Sequence, residues 1–350
     1  MRNRIIAALA LVAVVAPLAA MTNTPTTPDV LGSAKSVESP VAGPVSILTY
    51  NVKGLPWPIA IGRASAFESI EQRLIGLRAV GKQPHVVVLQ EAFTGRAKQI
   101  GVRSGYPFRA NGPAAGDMAT NETENEGADF LSNASSLKGE TQGRWLDSGL
   151  MLFSDYPIIS VKRAAFPKAG CAGYDCLANK GILMVELRIP GQDVPVTVVT
   201  THLNSKKGSG VSQGRSLEAY RRQVAALSSF MRTYRNPDSP FILAGDLNAS
   251  SPARRQVLTD ARLAAEASSR PLQSRSGLDA ILFQGGFASH LAPEANFISK
   301  RGRDWQFFGD GRNASVRPSN LEIPFGKEAD GSMLSDHLGF SITYRLTQKV

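Results

Sequence analysis

Five polar residues close, or closely follow, runs of apolar strand-forming residues. Asn51 ends ILTYN, Glu91 follows VVVLQ, His202 ends VTVVTTH, and Asp246 and Asn248 follow FILAG. Asp336 and His337 sit on the other side of such a run, just before LGFSITY. Polar groups at strand ends can gather on one rim of a rigid scaffold. The donor types narrow the chemistry. Glu91, Asp246, Asp336, Asn51 and Asn248 offer oxygen, which suits hard ions such as Mg²⁺, with Mn²⁺ or Ca²⁺ as alternatives. The chain has four histidines, and His85 and His290 lie outside these motifs, so a histidine-rich zinc centre is hard to build. A Mg²⁺ held by few carboxylates keeps positions open for a phosphate, which points to phosphoryl-ester hydrolysis. His337 has the chemistry of a general base, and Asp279 in LDAIL is the expected carboxylate to orient it. His202 can give a hydrogen bond or a proton to the phosphate or the leaving group.

These residues need elements to hold them. Val45–Asn51, His85–Gln90 and Phe241–Ala244 have strand composition, and Ala280–Phe283 and Leu338–Tyr344 read as late strands. Ser148–Phe153 with Ile158–Lys162 reads as a hairpin across Asp155–Pro157. Ile182–Ile189 with Val194–Thr201 reads as a second, across Pro190–Asp193. Ala66–Val80, Ser216–Tyr234 and Ala253–Ala265 have helical spacing. Residues 104–146 form a long polar stretch, rich in Gly and Asn, expected to be a functional or unstructured insertion. With no repeat and no break in composition, one domain of two mixed sheets flanked by helices is expected.

The 350 residues are 43% hydrophobic and 19% charged, which is a globular composition. Residues 1–20 combine two arginines, an apolar run from Ile5 and small residues at Ala19–Ala20, the pattern of a secretory signal peptide. An uncleaved anchor is the alternative, although the run is short for a bilayer span. Residues 21–44, rich in Thr, Pro and Ser, read as a flexible linker, and residues 45–350 as the catalytic domain. A secreted or periplasmic protein follows. Cys171 and Cys176 are then either bridged or two free thiols. The net charge of +10 suits a phosphate-bearing polymer or an anionic membrane, and equally plain solubility.

The segments TYN (49–51), LQE (89–91), DSGLMLFSDYPI (147–158), TTHLNS (200–205), GDLNAS (245–250), LDAIL (278–282) and SDH (335–337) together resemble the endonuclease/exonuclease/phosphatase superfamily. The resemblance implies an α/β four-layer sandwich, two mixed β-sheets face to face between helices. It implies Glu91 as principal Mg²⁺ ligand, assisted by Asn51, with Asp336 supporting the metal side. It implies His337 activating water, oriented by Asp279, while Asp246 and Asn248 position nucleophile and phosphate and His202 stabilises the phosphate or protonates the leaving oxygen. CAGYDCLANKG (171–181) further resembles neutral sphingomyelinases, which carry a regulatory Asp–Lys pair. Asp175 and Lys180 would be that pair, or Lys180 would bind phosphate. The exposed aromatic hairpin of secreted bacterial sphingomyelinases is not recognisable, which leaves Trp57, Trp305 and Phe307–Phe308 as candidate membrane or head-group contacts, or equally as core. The implied activity is a secreted metal-dependent phosphodiesterase acting on sphingomyelin or a related phospholipid at a membrane surface. An extracellular nuclease acting on nucleic acid is the alternative, and no protein partner is implied.

Overall fold

The computed structural model describes residues 43–56, 59–119, 127–261, 276–285 and 287–349. The expected signal peptide and nearly all of the linker lie outside these residues, as does Trp57. Eleven strands run in chain order: β1 (Val45–Asn51), β2 (Val86–Gln90), β3 (Phe108–Asn111), β4 (Met151–Ser154), β5 (Ile158–Ala165), β6 (Gly181–Leu187), β7 (Val196–His202), β8 (Phe241–Asp246), β9 (Asp304–Gly309), β10 (Ala314–Phe325) and β11 (Gly339–Gln348). They form a six-stranded sheet in the order β10-β11-β1-β2-β4-β3 and a five-stranded sheet in the order β5-β6-β7-β8-β9. Both sheets are mixed, since β1–β2 and β7–β8 are parallel and the remaining pairs antiparallel.

The layers follow from strand periodicity. In β1, Val45 and Ile47 point into the core between the sheets, while Leu48 and Tyr50 point outward. β2 splits the same way, Val86 and Val88 inward, Val87 and Leu89 outward. A strand apolar on both faces must be covered on both. Helix Arg63–Ala79 covers the outer face of the first sheet with Phe67, Ile70 and Leu74. Helix Gln213–Tyr234 covers the second with Tyr220, Val224 and Leu227, against Val199 and Leu243. The expected four-layer α/β sandwich is the observed architecture.

Several local expectations are corrected. Met151–Ser154 and Ile158–Ala165 are not a hairpin: β4 pairs with β2 and β3, β5 with β6, and Asp155–Pro157 carries the chain from one sheet to the other. Ala280–Phe283 belongs to helix Gly277–Gln284, whose N-cap Ser276 accepts a hydrogen bond from the Asp279 amide. The polar stretch 104–146 contains β3 and a short helix, Ala128–Ser132. The second expected hairpin is present as β6–β7. The helix expected from Ala253 spans Pro252–Asp260, and the end of that expectation lies outside the described residues.

Candidate active site

Strand direction explains why distant residues meet. Parallel β1 and β2 end together, with Asn51 beside Gln90, so Asn51 and Glu91 leave the first sheet at one edge. Parallel β7 and β8 end together, with His202 beside Asp246. Antiparallel strands begin where these end. Thus β9 opens with Asp304 opposite Asp246, β6 opens at Gly181 just after Lys180, and β11 opens just after Asp336 and His337. All of them reach one rim of the sandwich.

There, the Asn51 amide nitrogen donates to Glu91 Oε1 at 3.0 Å and to Asp246 Oδ2 at 3.1 Å. It links a carboxylate of one sheet to a carboxylate of the other. Asp246 Oδ1 accepts from the Asn248 amide at 3.0 Å, and Asn248 Nδ2 donates to the Leu203 carbonyl at 2.9 Å. Glu91 (φ 56°) and Asn248 (φ 48°) are two of three non-glycine residues with positive φ among the described residues. Such backbone strain persists where surrounding contacts hold it, often at functional sites.

His337 is buried and pairs through Nδ1 with the Asp304 carboxylate, at 2.7 and 2.9 Å. Its Nε2 lies 3.8 Å from Asp246 Oδ2 and 3.3 Å from Arg303 Nη1. Burial alone would lower the His337 pKa, but the carboxylates of Asp304 and Asp246 outweigh it and push it up to about 9. Arg303 can only donate, so its contact favours the neutral ring. Its side chain is partly exposed, however, and two buried carboxylates prevail over it. Burial likewise raises Asp246 to about 6, against the opposing pull of His337, and raises Glu91 against the Asn51 hydrogen bond. His202 behaves oppositely. Burial first, then the Lys180 ammonium, holds it well below the usual histidine value and therefore neutral. Lys180 Nζ stands 3.3 Å from His202 Nε2 and 2.7 Å from Asp175 Oδ1. His202 Nδ1 is buried with no hydrogen-bond partner among the described residues.

The structure brings together Asn51, Glu91, His202, Asp246, Asn248 and His337, with the Asp175–Lys180 ion pair beside His202. Asp336 stays half-exposed on the rim, its carboxylate 3.9 Å from Arg303. Asp279 does not orient His337. Its carboxylate accepts from Ser299 Oγ at 3.0 Å, and its own helix begins there; Asp304 takes the orienting position. The sequence did carry a signal for Asp304: it precedes the aromatic run WQFF as His337 precedes LGFSI. Of the aromatics read as membrane contacts or core, Trp305 and Phe307 are buried and stacked at 5.3 Å, and Phe308 packs partly buried against the core. Cys171 and Cys176 form a disulfide.

The oxygen-rich donor set fits a hard cation. Glu91 and Asp246 converge on one amide, and only Oε1 of Glu91 accepts a hydrogen bond among the described residues. Asp246, Asp304 and His337 also lie close enough to share an ion. The Asp304–His337 pair is already satisfied, so the Glu91–Asn51–Asp246 side suits a cation better.

A sequence profile described as the Endonuclease/Exonuclease/phosphatase family matches residues 48–337. No curated protein matches the chain. Among solved structures, sphingomyelinase C from Streptomyces griseocarneus is similar at 21% identity and TM-score 0.56, covering 86% of this chain and 99% of its own. Beta toxin from Staphylococcus aureus, in a mutant form with bound magnesium ions, is similar at 19% identity and TM-score 0.55, over 86% of this chain and 99% of its own. D. rerio TDP2, complexed with a single-strand DNA product, is similar at 17% identity and TM-score 0.52, over 86% of this chain and 98% of its own.

Proposed function

The chain belongs to the endonuclease/exonuclease/phosphatase family, and from that membership we propose that it is an exported, Mg²⁺-dependent phosphodiesterase that cleaves a phospholipid in the manner of a sphingomyelinase. The observation that carries this reading is the buried Asp304–His337 pair set beside Asp246, Asn51 and Glu91. Asp304 fixes the imidazole so that Nε2 faces the site, where it can take a proton from an attacking water. Asn248, held by Asp246 and the Leu203 carbonyl, positions the water and the phosphate. His202 is kept neutral, so it serves as a hydrogen-bonding group, and Lys180 supplies the positive charge on that side of the phosphate. Glu91 and Asn51 would hold the cation with Asp246. When bound, a hard cation would polarise a phosphoryl oxygen and offset the carboxylate charge that otherwise keeps His337 protonated.

Two features support export: the arginine-led apolar segment at residues 1–20, and the disulfide, which persists in oxidising compartments. The lipid reading draws on the CAGYDCLANKG segment and on the likeness to sphingomyelinase C and beta toxin. A nuclease reading draws on the net charge of +10 and the likeness to TDP2. A hydrolysis panel of sphingomyelin, phosphatidylcholine, DNA and RNA, run with and without Mg²⁺, tests the choice. Release of a phosphorylated head group only when Mg²⁺ is present is the expected result. Turnover of nucleic acid alone would overturn the lipid reading, and full activity in EDTA would overturn the metal.

A further inference from the structure

The aromatic residues expected at a membrane are buried, packed partly buried against the core, or undescribed, yet large apolar side chains do reach solvent elsewhere. Leu137 is 89% exposed, Trp145 55% and Tyr174 46%. They belong to one surface. Lys138 Nζ lies 5.5 Å above the Tyr174 ring. The Trp145 and Leu146 amides both donate to the Leu177 carbonyl, and the Leu177 side chain packs against Gly139. The Tyr174 amide donates to the Ser209 carbonyl at 3.0 Å, and its ring lies against Gly210, which places the Lys206–Lys207 loop alongside.

This surface is held rigidly next to the candidate active site. The Cys171–Cys176 disulfide closes the loop that carries Tyr174. Gly173, at φ +62°, admits no side chain, because a Cβ there would strike the Ser209 carbonyl. Asp175, next to Tyr174, accepts from the Ser205 amide and pairs with Lys180, which contacts His202. Two acids that contact this surface are matched, Glu140 by Arg215 at 2.7 Å and Asp175 by Lys180. Lys138, Lys206 and Lys207 bring positive charge to it.

Apolar and amphipathic tips interleaved with lysines are the chemistry of the interface between water and an anionic bilayer. A nucleic-acid strand fits less well. Lys138 occupies a face of the Tyr174 ring on which a base would stack, and the Leu137 isobutyl group has no partner on a phosphate backbone. We propose that Leu137, Lys138, Trp145, Tyr174 and Lys206–Lys207 form a docking surface for an anionic lipid bilayer, seating the active site against the head groups. The proposal deepens the phospholipid reading and rests on it for its purpose, but not for its test.

The test is co-sedimentation with phosphatidylcholine vesicles, with and without phosphatidylserine, beside turnover of the soluble diester bis(p-nitrophenyl) phosphate. Two variants are compared with the unaltered protein, Leu137→Ser with Trp145→Ser, and Lys138→Glu with Lys207→Glu. The charge pair keeps the test alive should the apolar pair fold poorly, and thermal melting checks both. Each pair should weaken binding to the anionic vesicles about tenfold or more while leaving soluble turnover unchanged. Unchanged vesicle binding in both variants, or no binding by the unaltered protein, overturns the proposal. So does a loss of DNA binding in the same variants, read by gel shift, with vesicle binding intact. Patch-dependent vesicle binding without hydrolysis of any phospholipid leaves the docking surface standing and sinks the phospholipid reading instead.

Discussion

The Asp304–His337 pair sets the sharpest residue-scale expectation. Replacing Asp304 with Asn keeps the shape but removes the charge that holds Nδ1–H in place. Turnover should fall by about 10² to 10⁴, the range for a positioned general base. Asp279→Asn should keep near-normal turnover, because that carboxylate is engaged with Ser299. Equal losses in steady-state assays of the two variants would return Asp279 to the site. Arg254 makes a different case. It is buried, stacks 4.5 Å over Tyr220, and donates to the carbonyls of Asn204 and Asn248 and to Ser216 Oγ. It thus grips the backbone of strained Asn248 from behind. Arg254→Met leaves those buried acceptors unsatisfied and should lower stability by about 2–4 kcal/mol in urea denaturation.

At the scale of elements, the strands that end at the site were legible, since β1, β2, β7 and β8 are short apolar runs finished by a polar residue. What failed was information that composition does not hold. Asp279 flanks an apolar AILF that has strand composition, whereas Ser276 three residues earlier caps a helix. β10 has no clean strand pattern because Pro318 interrupts it at a bulge. The false β4–β5 hairpin arose because periodicity marks strands without saying which sheet takes them. His85 ties the openings of β1 and β2 together, its Nδ1 accepting from the Ser46 amide at 3.1 Å and its own amide donating to Ser46 Oγ at 3.0 Å. Burial holds its pKa below the ordinary value, more than Asp155 raises it. The unfolded chain then binds a proton more readily than the folded one. This contribution to stability is present above the ordinary histidine value and fades as pH falls through the lowered one. Denaturation midpoints measured at pH 7 and at pH 5 should differ less in His85→Gln than in the unaltered protein.

On the scale of the whole molecule, the site is a seam between the two sheets. Asn51, Glu91 and His337 come from the six-stranded sheet and its flanks, His202, Asp246 and Asp304 from the other. Glu91, Asp246 and Asp304 crowd like charges across that seam, with burial opposing ionisation of Glu91 and Asp246. A structure that keeps such a cluster gives up stability for function. Two consequences can be read by thermal melting without any substrate. First, Mg²⁺ at about 100 times its dissociation constant should stabilise the fold by about 2.7 kcal/mol, a rise of roughly 2–4 °C per kcal/mol for a chain of this size. Second, Glu91→Gln should match or exceed the metal-free melting temperature of the unaltered protein, because one buried charge is gone, yet lose most of the Mg²⁺-induced rise. If Glu91→Gln melts lower without metal and still gains the full increment with it, Glu91 is a structural carboxylate and the cation binds elsewhere on the seam.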